Sequence, residues 1–168
     1  GLEIPPNLED DTPAGAAERE RIGAHLATFT EEFRSLGIQL GARYDESNLI
    51  VGDGTAAPAD SPFEYVPSAV PGGRAPHIWL GPDDALFDRF GAHFTLLRLS
   101  ENSPDAGALT DAAQARNIPH EVVDIAETQV RDAYGANLVL LRPDHHIAWR
   151  GNEMPDNPDR LWTRVTGA

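Results

Sequence analysis

Cysteine and lysine are both missing from this chain of 168 residues, and each absence excludes a class of chemistry. Without cysteine there is no disulfide, no thiolate nucleophile, no Cys-ligated zinc and no Cys-x-x-Cys redox pair. All 13 basic residues are arginine, so a Schiff-base lysine and a phosphate-loop lysine are excluded as well. A cysteine-free chain is compatible with the cytoplasm, which is the location we expect.

Positive charge is scarce, because 13 basic residues stand against 27 acidic ones and the formal net charge is -14. Such a chain repels the phosphate backbone of nucleic acids, whose affinity for proteins depends on Lys and Arg. Long apolar runs and a secretory signal are also absent. We therefore expect neither a nucleic acid nor a membrane as a partner.

The composition that remains, 40% hydrophobic and 24% charged, is typical of a globular domain. The chain opens on Gly1 without an initiator Met, so we expect a processed product or a piece of a longer protein.

A helix is predicted to begin at Thr12 and Pro13, because the Thr hydroxyl can cap a free N–H and Pro fits the first helical position. Apolar residues then recur at helical spacing, and Gly37 is the expected end. They are Ile22, Leu26, Phe29, Phe33 and Leu36. We expect this apolar face to pack on something outside the chain. Two short extended pieces, residues 38–40 and 49–51, are predicted to follow.

Residues 52–76 contain five prolines and the pair Gly72-Gly73, which disfavour both a helix and a central strand. We call residues 52–76 the strap and expect it to connect two packed units. Gly52-Asp53, at its start, is predicted to be a turn and not a ribose-binding pair.

After the strap, strands and helices alternate in the order βαβαβαββα, which is the element order of thioredoxin. We therefore predict an α/β, thioredoxin-like domain with a mainly parallel central sheet and a final antiparallel hairpin. The predicted strands are residues 77–80, 94–99, 121–125, 138–142 and 147–150, and the predicted helices are residues 83–90, 104–116, 127–134 and 156–165.

The position of the thioredoxin nucleophile reads Leu99-Ser100-Glu101-Asn102-Ser103-Pro104, so sulfur chemistry is excluded. Ser100 or Ser103 would need an adjacent base to act as a nucleophile, and helix capping is the interpretation we favour for both. The thioredoxin cis-Pro is also missing, since Gly135-Ala136-Asn137 precede the strand that follows it.

Several stretches carry a resemblance to one family. They are residues 71–80 (PGGRAPHIWL), 86–91 leading into 94–97, and 134–144 followed by 147–151, together with residues 40–44 and 51–54 upstream. In order and spacing they resemble the C-terminal portion of FAD-dependent aromatic hydroxylases that act on phenols, chlorophenols, hydroxyphenylpropionate and polyketides. That family usually has Gly at the position of His145, so the turn type there is an open question.

The resemblance implies a C-terminal, non-catalytic piece of a flavoprotein monooxygenase whose whole chain uses FAD and NAD(P)H to hydroxylate a phenolic ring. Residues 1–76 would pack on a flavin-bearing part, and residues 77–168 would form a redox-inactive thioredoxin-like domain. No Gly-x-Gly-x-x-Gly follows a strand here, so we expect no cofactor in this segment and no activity from it alone. The implied partners are the flavin-bearing part and, as a second option, another copy of the chain.

The residues expected at the docking interface are Arg74, His77, Trp79, Leu26, Phe29 and Phe33. For Arg74, His77 and Trp79, the competing interpretation is an ordinary strand start with Arg74 solvated and Trp79 in the core. Two other functions stay open: a freestanding thioredoxin-like adaptor, and a His-dependent hydrolase or metalloenzyme. His93, His120, His145 and His146 match no ligand spacing, so no metal site is expected.

Overall fold

The computed structural model describes residues 3–29 and 33–168. Helix α1 spans Pro13–Thr28, and the Thr12 hydroxyl accepts a hydrogen bond from the Gly15 amide at 3.1 Å, as predicted from the Thr-Pro start. The helix ends well before Gly37, and residues 30–32 of the predicted helix lie outside the described residues.

Helix α2, Leu36–Gly41, occupies the place of the predicted extended piece 38–40, so that prediction is wrong. The cause is tertiary packing: Gly37 is buried with its backbone against the carbonyl oxygens of Ser61 and Glu64 in the strap. Residues 49–51 form no strand either, although the Val51 amide donates to the carbonyl of Ala148 at 2.8 Å.

The central sheet has four strands: β3 (Phe94–Arg98), β4 (His120–Asp124), β5 (Leu138–Leu141) and β6 (Ile147–Gly151). Their spatial order is β4-β3-β5-β6, with β3 and β4 parallel and the other two pairs antiparallel. Helices α3 (Gly107–Ala115), α4 (Thr128–Tyr134) and α5 (Pro158–Thr166) complete a thioredoxin-like α/β unit, which confirms the predicted fold class.

The expectation of a mainly parallel sheet is wrong, because α4 does not return the chain to the opposite end of the sheet. Seven helical residues rise only about 10 Å, and Gly135 ends the helix at φ 65. Strand β5 therefore starts beside the end of β3, where Leu138 pairs with Arg98, and runs antiparallel to it.

The first predicted strand and helix also differ from the structure. Strand β1 (Trp79–Gly81) pairs with β2 (Asp84–Ala85) in a separate hairpin outside the central sheet, and a 3-10 helix (Leu86–Arg89) replaces the predicted helix 83–90. The Leu86 amide donates to the carbonyl of Ile78 at 2.9 Å, which ties this segment back to β1 instead of letting a helix form.

Apolar residues cover both faces of the sheet, and β5 is buried on both. Leu97, Val139 and Leu141 point to the side that carries Tyr134 and Leu86. The opposite face carries Leu96, Leu140, Leu109, Trp162 and Val165. None of the helices within residues 3–29 and 33–168 has the length and apolar character needed to cross a membrane.

The strap lies along the β6 edge of the sheet. The Gly72 amide donates to the carbonyl of Ile147 at 2.7 Å, the Ile147 amide donates to Gly73 at 2.9 Å, and the Ala75 amide donates to His145 at 2.9 Å. An uncovered strand edge offers unpaired N–H and C=O groups, and the strap satisfies those of Ile147 at the start of β6.

Candidate docking surface

The apolar residues predicted to lie on the first helix are largely exposed. Ile22 is buried, but Leu26 is 55%, Phe29 41% and Phe33 83% exposed. The helix packs on the segment just before it, where Arg19 donates to the carbonyls of Leu8 at 2.7 Å and Asp10 at 3.0 Å. Within the described part of the chain, no hydrogen bond joins residues 3–29 to residues 42–168.

Arg74 lies where the strap meets the β5–β6 hairpin. Its backbone forms an isolated antiparallel bridge with His146, and its guanidinium carbon is 5.0 Å from the centre of the Phe87 ring. This is cation–π distance. The side chain is half-buried, so Arg74 is not the freely solvated residue of the competing interpretation.

His77 and Trp79 continue from Arg74 along the same run. Their rings meet edge to face at 5.2 Å, and His77 meets Phe87 in the same way at 5.0 Å. Trp79 is 63% exposed, so the alternative that placed it in the core is wrong. Tryptophan side chains are usually buried in a core or in an interface, so this exposed Trp79 makes the surface around it a candidate for contact with another protein or domain.

These residues share one groove with three elements. They are the 3-10 helix, which contributes Phe87, helix α2, which contributes Leu40, and the strap, which contributes Tyr65. We call this the Arg74 groove; its lining residues are Leu40, Tyr65, Arg74, His77, Trp79, Ala85, Phe87 and Asp88. Leu26, Phe29 and Phe33 do not line it, so the groove brings together only Arg74, His77 and Trp79 of the predicted interface residues.

The tip of the β5–β6 hairpin contacts Phe87, one of the residues that line the groove. His145 meets the rings of Phe87 at 5.1 Å and Phe90 at 5.4 Å. Its φ is 61, so His occupies the left-handed position of a three-residue hairpin turn, which answers the question raised by the usual glycine. Burial lowers the pKa of His145, and the nearby positive charge of Arg74 lowers it further. Burial also raises the pKa of Tyr65, against the opposing influence of Arg74.

Phe87, Tyr65 and Leu40 were missed at the sequence level. Phe87 lies in a segment predicted to be helical, and a helix prediction gives no information about contacts with residues distant in the sequence. The available signal was the resemblance itself, because residues 86–91 and 71–80 both carry it, and the structure places Phe87 beside Arg74 and His77.

The site equivalent to the thioredoxin nucleophile holds no reactive constellation. The Ser103 hydroxyl donates to the carbonyl of Asn137 at 3.0 Å, and the Ser100 hydroxyl accepts from the Asn102 amide at 3.1 Å. The prediction that they cap the following helix is wrong, because α3 starts at Gly107, whose amide donates to the Asp105 carboxylate at 2.8 Å.

Residues that bind FAD are not recognisable in the described part of the chain. Asp53 forms the predicted turn, with its Oδ1 accepting from the Thr55 amide at 2.9 Å, and its Oδ2 accepts from Arg150 at 2.6 Å. This carboxylate is therefore already engaged and does not suit a ribose. Across residues 3–29 and 33–168, no three His, Asp or Glu side chains lie close enough together to hold a metal ion.

The strand order and the missing cysteines define a thioredoxin-like domain without its redox pair. The family model described as aromatic-ring hydroxylase, C-terminal, matches residues 68–168, and the chain belongs to this family. This confirms the resemblance found in the sequence.

Longer flavoproteins are similar to the chain. It is 30% identical over 169 residues to the FAD-dependent monooxygenase apdD of Emericella nidulans, with 95% of this chain and 27% of that protein covered. It is 31% identical over 169 residues to the phenol 2-monooxygenase of Pseudomonas sp. strain EST1001, with 90% and 28% covered.

Among solved structures, the rebeccamycin biosynthetic enzyme RebC with reduced flavin matches with a TM-score of 0.77 and 36% identity. The match covers 99% of this chain and 30% of RebC. The chain thus spans less than a third of the length of these relatives.

Proposed function

We propose that this chain is the C-terminal, non-catalytic part of an FAD- and NAD(P)H-dependent monooxygenase that hydroxylates a phenolic ring. Its role is to dock on the flavin-bearing part of the same protein. Residues 1–76 provide the segment that packs on that part, and residues 77–168 provide the thioredoxin-like domain. A cytoplasmic location belongs to the same proposal, because NAD(P)H is supplied there.

The observation that carries this proposal is the exposure of two surfaces on a chain that spans less than a third of its flavoprotein relatives. Leu26, Phe29 and Phe33 are 41% to 83% exposed, and Trp79 is 63% exposed. Large apolar side chains in contact with water favour association with another body.

Catalysis by the chain itself is not supported by its geometry. Ser103 donates to a backbone carbonyl and has no base, while Asp53 is held by Arg150 and Thr55. A nucleophile needs an adjacent base, and an FAD site needs a glycine-rich turn that is missing from the sequence.

The test compares the 168-residue chain with the intact gene product. Each is purified, its flavin content is measured by absorbance, and NADPH oxidation is followed with and without phenol. We expect FAD and phenol-stimulated oxidation in the gene product and neither in the chain. Stoichiometric FAD on the chain alone, or a gene product no longer than the chain, would overturn the proposal.

Dimerisation is the alternative role of the same surfaces. Sedimentation of the chain over a range of concentrations separates the two, because docking on a flavin-bearing part leaves the isolated chain monomeric. A stable dimer that buries Trp79 would replace docking by self-association.

A further inference from the structure

Arg74 differs from the other arginines in having a half-buried guanidinium without an acceptor. Within the described residues, the side chains of Arg34, Arg74 and Arg160 make no hydrogen bond and no ion pair, and Arg34 and Arg160 are exposed to water. Arg74 is partly shielded by Phe87 and the groove walls. It is therefore the arginine that is partly shielded without a protein acceptor in the described chain, while its nitrogen atoms still reach solvent.

The contact with Phe87 stabilises the positive charge of Arg74 but provides no hydrogen-bond acceptor for its N–H groups. The guanidinium carbon lies over the ring, 5.0 Å from its centre, which stabilises the cation, and no N–H in the guanidinium plane makes a hydrogen bond within the described residues. The five N–H donors of a guanidinium lie in that plane and remain available for a fork of two parallel hydrogen bonds. A carboxylate matches this fork, with its two oxygens at the same spacing.

We propose that the Arg74 groove receives one Asp or Glu side chain, flanked by an apolar side chain, from the flavin-bearing part of the protein. This inference rests on the proposed function and names what the docking surface recognises. Arg74 forms the bidentate pair, and the apolar neighbour lies between Trp79 and Leu40.

The charges around the groove favour a single carboxylate. The His145 ring meets the Phe87 ring at 5.1 Å, and burial lowers the pKa of His145, which disfavours its charged form. Tyr65 is neutral as well, because burial raises its pKa. Asp88 at the rim makes no ion pair with Arg74 within 4.0 Å and would repel a second acid. Arg74 is thus the arginine that lines the groove, on a chain of formal net charge -14.

The walls of the groove explain the apolar neighbour. Both Trp79, which is 63% exposed, and Leu40, which is half-buried, line the groove. Covering Trp79 removes its ring from water while also desolvating Arg74, which strengthens the ion pair. Affinity and specificity then come from the same contact.

The experiment uses a single cysteine at the groove rim, because the chain has none of its own. Asp88→Cys is introduced into both the 168-residue chain and the intact gene product. The rate of its alkylation by N-ethylmaleimide is followed by mass spectrometry of the peptide that contains it. The same measurement is made with Arg74→Gln, Arg74→Lys and Arg160→Gln. Arg160 is the control, since its side chain also makes no hydrogen bond or ion pair within the described residues but is exposed.

We expect alkylation to be at least about tenfold slower in the gene product than in the chain. Arg74→Gln is expected to remove most of this protection, Arg74→Lys to restore part of it, and Arg160→Gln to leave it unchanged. If Arg74→Gln and Arg160→Gln are equally protected, docking stands but recognition by Arg74 is overturned. If the chain and the gene product react at the same rate, both the docking and this inference are overturned.

Discussion

Arg150 and Asp53 join the last strand of the sheet to the start of the strap, with Nε donating to Oδ2 over 2.6 Å. The same guanidinium donates to the hydroxyl of Thr55 at 2.9 Å and to the carbonyl of Tyr134 at 2.9 Å. The Arg150 side chain thereby holds together residues that are almost a hundred positions apart in the sequence. The strap is thus attached to the thioredoxin-like unit at two places, here and along the β6 edge.

Asp53→Asn is expected to lower the free energy of unfolding of the chain by about 1–3 kcal/mol, because it leaves a mostly buried guanidinium without its charge partner. Burial by itself would raise the pKa of Asp53, but the Thr55 amide and Arg150 together hold it below its ordinary 3.8. The stabilisation is therefore complete above pH 3.8 and is lost as the pH falls through the lowered pKa.

Urea denaturation at pH 7 and at pH 3 measures this effect, with the exposed Asp83→Asn as the control. The difference in the free energy of unfolding between wild type and Asp53→Asn is expected to be smaller at pH 3 than at pH 7. An equal difference at both pH values would show that the charge of Asp53 does not stabilise the attachment of the strap.

Gly37→Ala tests the packing of α2 on the strap. A Cβ at this position would collide with the carbonyl oxygens of Ser61 and Glu64. We expect a loss of about 1–3 kcal/mol in the free energy of unfolding. Gly23→Ala in α1 is the matched control, because nothing lies within 4 Å of its Cβ. A helical alanine there is expected to be stabilising by about 0.5–1 kcal/mol. Equal effects of the two substitutions in denaturation curves would contradict the packing of α2.

Ser103→Ala distinguishes a structural hydroxyl from a catalytic one. The Ser103 side chain is 8% exposed and donates to Asn137, so its removal leaves a buried carbonyl without that donor. We expect a loss of about 1 kcal/mol in stability and an unchanged rate of phenol-stimulated NADPH oxidation in the gene product. Ser100→Ala, near the surface, should change neither. A large fall in that rate with unchanged stability would restore Ser103 as a candidate nucleophile.

Arg74→Gln is expected to raise the pKa of His145 in the isolated chain. Burial is the first cause of the lowered pKa and remains in the variant, so the new value should still lie below 6.5. Because the folded pKa is lowered, wild type loses stability as the pH falls from 6.5 through that pKa, and the variant loses less. NMR titration of the His145 ring measures the shift, with Arg160→Gln as the control. No change in the titration would mean that Arg74 does not act on His145.

The outline of the thioredoxin-like unit was predictable because its elements carry local signals. Gly135 ends α4 in the left-handed conformation, and Asn157 with Pro158 begins α5 in the way that capping predicts. The hairpin between β5 and β6 followed from its short turn. The direction of β5 relative to β3 was not predictable, since it depends on the end of the sheet at which the chain leaves α4.

The errors fall where long-range contacts decide the structure. Residues 38–40 have the composition of a strand, but packing of Gly37 on the strap makes them helical. Residues 83–90 have helical spacing, yet hydrogen bonds to β1 produce a hairpin and a 3-10 helix. The Arg74 groove was predicted in part: Arg74, His77 and Trp79 were named, but Phe87 required the tertiary structure.

Docking is the central claim, and amide hydrogen exchange compared between the 168-residue chain and the intact, FAD-loaded gene product tests it most directly. Peptides covering residues 13–29 and 77–81 should exchange more slowly in the gene product, while those of the buried strand β5 should be unchanged. Identical exchange of both surface peptides in the two proteins would contradict the claim that these surfaces are covered by a flavin-bearing part.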